Sequence, residues 1–166
     1  MKSEKIEISS TTADWGRETL VKGTWSPSRA LLQSIRGYQH ASGPFRILIR
    51  KMAVLRHRFW SVVTGADIPI NANIGGGLLL PHPNGVVIHP DAQVGVNCLI
   101  FQQVTIGANQ YGVPIIGGHV DIGAGAKLIG PIVIGDHARI GANAVVRIDV
   151  PAHRTYVGPS GFLLEK

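Results

Sequence analysis

Aliphatic residues recur at every sixth position in the second half of the chain, and the period holds without a slip from Ile116 to Val146. A glycine often follows the aliphatic residue, as at Gly117 and Gly123. A six-residue period fits neither an α-helix nor an alternating strand. It predicts a parallel β-helix, in which each hexapeptide forms one flat face, three hexapeptides complete a coil, and the aliphatic side chains stack inside. The predicted fold class is therefore an all-β solenoid.

The same period extends upstream in two runs. Their inward positions are Ile68, Ile74, Leu80 and Val86, followed by Ile88, Val94, Ile100 and Ile106. Two interruptions break the repeat: a two-residue slip within 81–85 and a longer gap over 107–114. Loops that leave a rigid scaffold often carry functional residues. We therefore expect the chemistry of this protein near these two loops.

The pattern divides the chain into four segments: an N-terminal arm over 1–26, a helical segment over 27–63, the β-helix over 64–150, and a C-terminal tail over 151–166. The arm contains Trp15 and Trp25, which leaves open whether it packs on another surface, such as a second subunit, or is disordered. In the tail, the apolar run Phe162-Leu163-Leu164 predicts a short terminal strand that covers the last coil.

The helical segment predicts two helices. The first is capped by Ser28 and runs to Gln39, and the Gly43-Pro44 pair ends it. The second covers 45–63 and mixes apolar with basic side chains. The apolar residues are Ile47, Ile49, Met52, Leu55 and Phe59, and the basic residues are Arg46, Arg50, Lys51, Arg56 and Arg58. We interpret it as a helix that covers one end of the solenoid with its basic face in solvent; the alternative is that this face attracts acidic groups.

Composition narrows the classes of function. The chain is 45% hydrophobic but only 6% aromatic, as expected for a core of stacked Ile, Val and Leu. Its formal net charge of +6 favours an anionic partner, either nucleic acid or a phosphorylated cofactor. The single cysteine, Cys98, excludes an internal disulfide and is interpreted as a small apolar filler. We find neither a signal-peptide pattern nor an apolar run of membrane-spanning length, and therefore expect a cytoplasmic protein.

The slip contains the strongest catalytic candidate. His82 lies between Pro81 and Pro83, which restrict the backbone around it. Asp67 precedes His82 by nearly one coil, so we expect the two side chains to meet on adjacent coils. A carboxylate bonded to one imidazole nitrogen fixes the tautomer and leaves the other nitrogen able to accept a proton. The pair therefore predicts that His82 is a general base. The alternative is that His82 is an ordinary surface histidine in a turn.

The other histidines form no such pattern. His119 and His137 occupy corners of regular hexapeptides, where we expect polar side chains to face solvent. His40, His57 and His153 lie apart from other candidate groups. A zinc site needs three or four converging ligands. We therefore expect no metal site.

Several stretches, in order and at nearly matching spacings, resemble the serine acetyltransferase family of hexapeptide-repeat acyltransferases. They are Asp67-Ile68-Pro69, His82 with Gly85-Val86-Val87-Ile88, Gln103-Val104-Thr105-Ile106-Gly107, Ile122-Gly123-Ala124-Gly125-Ala126-Lys127, and Gly141-Ala142-Asn143-Ala144-Val145-Val146. The resemblance covers about residues 64–158. It implies a left-handed parallel β-helix that packs as a homotrimer, with acetyl-CoA in a cleft between subunits. It also implies acetyl transfer to a hydroxyl, with His82 as general base and Asp67 as its orienting partner.

The resemblance also assigns the CoA site. Gly107, Ala124 and Ala142 would line the CoA arm through backbone contacts, and Arg139 falls near the CoA phosphates, where the family usually has a lysine. A cation of either kind would serve there.

Three departures from the family concern the acceptor side and the assembly. Pro81 stands where members that acetylate serine usually have an aspartate, and the shorter loop before Pro114 lacks their Arg-His pair. These groups hold the ammonium and carboxylate of an amino acid, and a charge buried without its opposite is costly. The N-terminal helical lobe is also shorter than is usual in the family, which bears on whether trimers pair.

We expect an acetyl-CoA-dependent O-acetyltransferase that acts on L-serine or a serine-like acceptor. The alternative acceptor is a sugar of a capsule or exopolysaccharide precursor. Two interpretations from other classes stay open, because a fold does not fix a function. One is a metal-dependent enzyme similar to γ-class carbonic anhydrase, which the missing three-histidine set disfavours. The other is a non-catalytic solenoid, which would leave both interruptions unexplained. We expect a small hydroxyl-bearing partner, no nucleic acid and no membrane insertion.

Overall fold

The computed structural model describes residues 8–21 and 23–158. In this part of the chain, a short 3-10 helix (Trp15–Glu18) and two α-helices, α1 (Pro27–Gln39) and α2 (Arg46–Thr64), precede twelve short strands. The strands are β1 (Asn73–Ile74), β2 (Val87–Ile88), β3 (Gln93–Val94), β4 (Leu99–Ile100), β5 (Thr105–Gly107), β6 (Ile115–Ile116), β7 (Asp121–Ile122), β8 (Lys127–Ile129), β9 (Val133–Ile134), β10 (Arg139–Ile140), β11 (Val145–Val146) and β12 (Thr155–Tyr156).

The strands form three parallel sheets, which are the flat faces of a β-helix. Face I has the order β2-β5-β8-β11, face II the order β1-β3-β6-β9, and face III the order β4-β7-β10-β12. Isolated parallel bridges complete about five coils: Asp67 pairs with Val87 on face I, and Leu79 pairs with Leu99 on face III. The predicted all-β solenoid of parallel strands, preceded by a short helical segment, is confirmed.

The aliphatic side chains at the predicted inward positions form the core. On face I, Ile106, Leu128 and Val146 are fully buried and lie on one another in register. Burial of an aliphatic side chain of this size contributes about 1.5–3 kcal/mol to folding. Adjacent coils approach closely at their corners: a Cβ atom on Gly95 would clash with the carbonyl oxygen of Gly117. Only glycine avoids that contact.

The register of the paired strands locates the two loops. Strand β2 pairs with β5 at an offset of eighteen residues, which is one regular coil. The offset is twenty residues between β1 and β3 and twenty-two between β3 and β6. The additional residues lie in the loops 81–85 and 107–114. Both predicted interruptions are therefore loops at the edges of the prism, while the inward side chains stay stacked.

The last coil is shorter and runs past residue 150, where the hexapeptide pattern ends. Ile134 pairs with Val150, an offset of sixteen residues, and β12 then pairs with β10 on face III. The terminal strand predicted at Phe162-Leu163-Leu164 lies outside the described residues.

Helix α1, not α2, closes the end of the solenoid. Leu31, Leu32 and Ile35 of α1 are buried and belong to the same apolar core as the first coils. The helix begins at Pro27 with Ser26 as its N-cap residue, two positions before the predicted cap. No helix of the described residues has both the length and the hydropathy that a bilayer span needs.

Helix α2 packs on α1 and leaves most of its apolar side chains in solvent. Only Ala53 and Thr64 are buried, and Ala53 lies against Gly37 of α1. The interpretation that this helix covers one end of the solenoid holds only for Trp60, which packs against the core, because the apolar residues on which it rested are exposed: Ile47, Ile49, Met52, Leu55 and Phe59. Periodicity marks an apolar face, but it does not say whether the same chain covers that face.

The described part of the N-terminal arm packs on the first coils of its own chain. The side-chain oxygen of Asn97 accepts a hydrogen bond from the Asp14 backbone N–H at 2.8 Å, and its amide group donates to the carbonyl oxygens of Ser9 and Thr12, each at 2.8 Å. The carboxylate of Glu18 accepts from the backbone N–H of Leu78 at 3.0 Å. The described part of the arm thus belongs to the lobe that covers the solenoid.

Candidate active site

The loop 81–85 presents His82 at one edge of the prism. This edge, called the III–I edge here, is the column of corners where the chain passes from face III into face I of the next coil. The Gly85 N–H donates to the carbonyl of Gly65 at 2.8 Å, and the Val86 N–H donates to that of Pro83 at 3.1 Å. The loop is therefore fixed to the preceding coil. The side chain of His82 is exposed on it.

Asp67 lies at the head of face I. Its backbone N–H donates to the carbonyl of Val86 at 2.8 Å, and its carbonyl accepts from Ile88 at 3.0 Å. Its side chain is exposed, since the neighbouring Ile68 is the buried residue. Asp67 thus lies on the strand position directly beside the one to which the His82 loop returns. No hydrogen bond joins the two side chains within the described residues, so their pairing stays a prediction.

Ala124 and Ala142 lie on the same III–I edge, in successive coils. The Asn143 N–H donates to the carbonyl of Ala124 at 2.8 Å. One coil earlier, the Gly125 N–H donates to the carbonyl of Gln102 at 2.9 Å. Backbone hydrogen bonds therefore join these corners into a column that begins at the His82 loop. Three of the predicted site residues share one edge.

Arg139 lies on face III, in strand β10, which leads into the III–I edge. Its side chain is 71% exposed, and its Nε atom lies 3.8 Å from a carboxylate oxygen of Asp121. This contact is long and exposed, so the guanidinium can still bind an anion.

Gly107 does not lie with the other site residues. It ends β5, where face I turns into face II, and it pairs with Ile129 across the coils. A Cβ atom at Gly107 would lie 3.1 Å from Cδ1 of Ile129, so the backbone is closely approached here. The width of face I separates Gly107 from the III–I edge. Within one chain, the predicted CoA residues therefore lie at two edges of the prism.

A cavity of about 440 Å³ lies behind the His82 loop. Its walls include Trp25 and Arg29 from the helical lobe and Pro81 and Pro83 from the loop, but not the imidazole between them. A molecule in this cavity would touch the loop from the side of the N-terminal arm. Only the tryptophan in the polar arm, Trp25, was a signal in the sequence for this cavity.

A smaller cavity of about 210 Å³ adjoins the same loop. Arg17, Arg29 and Pro81 line it together with leucines of the first coil. The Nε and Nη1 atoms of Arg17 are buried and make no hydrogen bond among the described residues, while Nη2 donates to the Cys98 carbonyl at 3.4 Å.

Three histidines form a stack that sequence reasoning missed. His119, His137 and His153 occupy equivalent corners of successive coils, each with a left-handed φ of 53° to 60°. The Nδ1 atoms of His119 and His137 lie 2.8 Å apart, and the rings of His137 and His153 stack at 4.8 Å. His153 is therefore not isolated, and His119 does not simply face solvent. The offsets of eighteen residues between His119 and His137 and sixteen between His137 and His153, each about one coil, could have indicated the stack from the sequence.

The environment of His119 disfavours its charged form. Partial burial lowers the pKa of His119 below the usual 6.5; the carboxylate of Asp121 opposes this effect, while the nearby His137, Arg17 and Arg139 act in the same direction as burial. Within the described residues, no group of three or more His, Cys, Asp or Glu side chains is arranged to hold a metal ion.

Cys98 is a core residue, as predicted. It is fully buried, and its Sγ atom lies 3.2 Å from the carbonyl oxygen of Gly117. Burial raises the pKa of its thiol to about 11. The thiolate, which is the nucleophilic form, is therefore scarce at neutral pH.

Comparison with known proteins shows similarity to serine acetyltransferases both in sequence and in structure. No protein-family model matches the chain. The chain is 45% identical to the serine acetyltransferase of Synechococcus elongatus over 104 residues, which are 60% of this chain and 43% of that protein. It spans about half the length of the curated relatives it matches.

Solved structures agree with this relationship. Soybean serine acetyltransferase complexed with serine matches 83% of this chain and 57% of its own, with a TM-score of 0.67 and 36% identity. A serine acetyltransferase in complex with CoA matches 81% of this chain and 56% of its own, with a TM-score of 0.69 and 31% identity. In sequence and fold, the β-helical part of this chain is therefore similar to serine acetyltransferases, which are left-handed β-helices.

Proposed function

We propose that this chain is an acetyl-CoA-dependent O-acetyltransferase in which His82 is the general base. The observation that carries the proposal is the position of His82, exposed on a proline-restricted loop that returns to the coil beside Asp67. Serine acetyltransferases of similar fold, one solved with serine and another with CoA, support the reaction class.

In the proposed reaction, one imidazole nitrogen of His82 accepts the proton of the acceptor hydroxyl while the oxygen attacks the thioester carbonyl carbon of acetyl-CoA. The new C–O bond gives a tetrahedral intermediate, and backbone N–H groups near Gly107 would stabilise its oxyanion. The intermediate then collapses with cleavage of the C–S bond, and the imidazolium returns the proton to the CoA thiolate. Asp67 would orient the imidazole and stabilise its charged form.

Acetyl-CoA would bind along the III–I edge. Ala124 and Ala142 would contact the CoA arm through their backbones, and the exposed guanidinium of Arg139 would pair with a phosphate. The small side chains at these corners leave the backbone accessible. The chain holds the corners at a fixed spacing, because the Asn143 N–H beside Ala142 donates to the carbonyl of Ala124 and the Gly125 N–H beside Ala124 donates to that of Gln102.

A homotrimer would complete the site. Gly107 lies across face I from the other CoA residues, so one chain cannot surround acetyl-CoA with all of them. Packing of one subunit's III–I edge against the face I–face II edge of a neighbour would bring the two sets together. Light scattering on the purified protein tests this arrangement, and a monomer with full activity would contradict it.

The acceptor is L-serine or a serine-like molecule in this proposal. Pro81 replaces the aspartate found in members of the family that acetylate serine, and the loop before Pro114 lacks their Arg-His pair. These two differences favour a second candidate, the hydroxyl of a capsule or exopolysaccharide precursor sugar. A cytoplasmic location belongs to the same proposal, since the single cysteine suits a reducing compartment.

The test is the release of CoA thiol from acetyl-CoA, with L-serine compared against sugars and sugar nucleotides. Saturable release with L-serine supports the first acceptor, and release with saccharides alone supports the second. Buried Cys98 should add little background to the thiol signal. Absence of release with every acceptor, or activity that follows a bound metal, would contradict the proposed function.

A further inference from the structure

Helix α2 carries a continuous apolar stripe that faces solvent. Six residues of this stripe, spaced alternately three and four positions apart, lie on one side of the helix. They are Phe45, Leu48, Met52, Leu55, Phe59 and Val62, with exposed fractions between 52% for Met52 and 84% for Val62. Phe45 is the cap residue and the others lie within α2. We call this set the α2 stripe.

Within the described residues, no segment covers the α2 stripe, although Leu48 and Met52 line a groove of about 320 Å³ together with α1. The opposite side of the helix supplies the contacts to the rest of the lobe, through Ala53, His57 and Trp60. Ile49 and Val63, also exposed, widen the apolar surface beyond a narrow seam. Contiguous apolar surface of this kind on a protein marks an interaction site.

All formal charge on α2 is positive. The helix carries Arg46, Arg50, Lys51, Arg56 and Arg58, and no Asp or Glu. Lys51 and Arg58 border the stripe on one side, and Arg56 borders it on the other. A partner that binds the stripe should therefore be apolar at its centre and negatively charged around it.

A second copy of α2 is a poor match for this surface. If two copies paired in parallel through the stripe, Lys51 of one would face Arg56 of the other. In an antiparallel pair, Lys51 and Arg58 would face one another. Both orientations place like charges at the flanks, which destabilises helix pairing.

A pair of tryptophans adjoins the stripe at Phe59. Trp25 is 76% exposed, and its ring centroid lies 5.7 Å from that of Trp60, which in turn meets Phe59 edge-to-face at 5.0 Å. Tryptophan is enriched at membrane interfaces, where its ring is partly apolar and its N–H stays hydrated.

We propose that α2 docks the protein on the surface of an anionic lipid bilayer. The helix would lie in the plane of the interface, with the α2 stripe in the boundary between head groups and acyl chains and with Lys51, Arg56 and Arg58 on lipid phosphates. The breadth of the apolar surface and the absence of acidic residues favour a bilayer over the groove of an acidic protein. This attachment is peripheral and does not depend on the proposed acetyl transfer.

The test is cosedimentation of the full chain with vesicles of phosphatidylcholine, with or without phosphatidylglycerol. We expect the anionic vesicles to bind at least about tenfold more protein, and added salt to reduce binding. The double variant Leu55→Glu/Phe59→Glu should lose about tenfold or more of this binding. Lys51→Glu/Arg58→Glu should lose binding as well, without removal of any apolar side chain.

The matched control is Ile148→Glu, which places a charge at an exposed aliphatic residue of the β-helix and should leave vesicle binding unchanged. Circular dichroism checks that each variant is folded. Equal binding to both kinds of vesicle, no binding at all, or equal loss in the control would overturn the proposal. So would a lipid-free oligomer, seen by sedimentation velocity, that Leu55→Glu/Phe59→Glu dissociates, because a second copy would then cover the stripe.

Discussion

Glu18 and Arg36 form a buried bidentate ion pair that joins the N-terminal arm to α1. The Nε and Nη2 atoms of Arg36 donate to the two carboxylate oxygens of Glu18 at 3.0 and 2.9 Å. The same guanidinium donates to the carbonyls of Ile74 and Gly75 in the first coil. One pair therefore connects the arm, the helix and the solenoid.

Loss of this pair should destabilise the whole lobe. Glu18→Ala leaves the Arg36 charge buried without its partner, so we expect the free energy of unfolding to fall by about 3–5 kcal/mol. Chemical denaturation measures it. Arg139→Ala, which breaks only the exposed contact to Asp121, should change stability by about 0–1 kcal/mol. Equal effects of the two substitutions would contradict the structural role of Glu18.

Removal of the proposed general base should abolish most turnover. For His82→Ala we expect kcat to fall by roughly 10²–10⁴-fold, because the acceptor hydroxyl loses its proton acceptor. Binding of CoA, measured by calorimetry, should persist. His89→Ala is the matched control, since it removes a histidine seven positions away whose Nδ1 accepts the Asp91 N–H at 3.3 Å. A His82→Ala enzyme that keeps most of its activity would disprove the mechanism.

Asp67→Asn tests the orienting role separately. The amide keeps the shape of the side chain but removes the charge that would stabilise the imidazolium, so we expect a lower kcat with little change in KM. The pH profile of kcat should shift if Asp67 acts through His82. Unchanged kcat and pH profile would mean that Asp67 only forms the strand bridge to Val87.

The histidine stack should make stability depend on pH. The pKa of His119 is lowered by burial, so the unfolded chain binds its proton more tightly than the folded chain does. Stability from this group is present above the unfolded value of 6.5 and is lost as the pH falls below it. His119→Asn, a residue that tolerates the left-handed corner, should weaken this dependence.

The measurement is the free energy of unfolding across this pH range, compared between the wild type and His119→Asn. His40→Asn removes an exposed histidine outside the stack and should leave the pH dependence as it is in the wild type. Identical slopes in all three proteins would show that the stack does not titrate in this way.

The buried thiol of Cys98 should resist modification. With a pKa of about 11, it should react with a thiol reagent only when the protein unfolds. We expect the labelling rate in native buffer to be well below that in denaturant. Rapid labelling of the native protein would mean that the corner around Gly117 opens readily.

The hexapeptide period was enough to predict the solenoid, because a β-helix is the geometry that buries aliphatic side chains repeated at every sixth position. Ile106, Leu128 and Val146 were predicted in the core and are stacked there. The loop at 81–85 followed from the same count. The exposure of one side of α2 could not be predicted in this way. The sequence marks an apolar face, but it does not show whether the same chain covers that face.

Site residues were less predictable than the core. Spacing along the chain placed Asp67 and His82 on adjacent coils, but spacing does not fix side-chain rotamers, and no hydrogen bond joins them. Gly107 was grouped with Ala124 by resemblance, yet a face of the prism separates them within one chain. The contact between His119 and His137 depends on corner conformations that a residue count does not reveal.

The register offsets of the first coils have a consequence for how acceptor choice could change. Strands pair at twenty and twenty-two residues there, yet the inward side chains stay aligned, since the surplus residues leave at the edges. Residues can therefore be added to or removed from loops 81–85 and 107–114 without displacing the stack. The column of corners at Ala124 and Ala142 is independent of those lengths. Loop grafts between relatives would therefore test directly whether these loops set the acceptor in the proposed reaction.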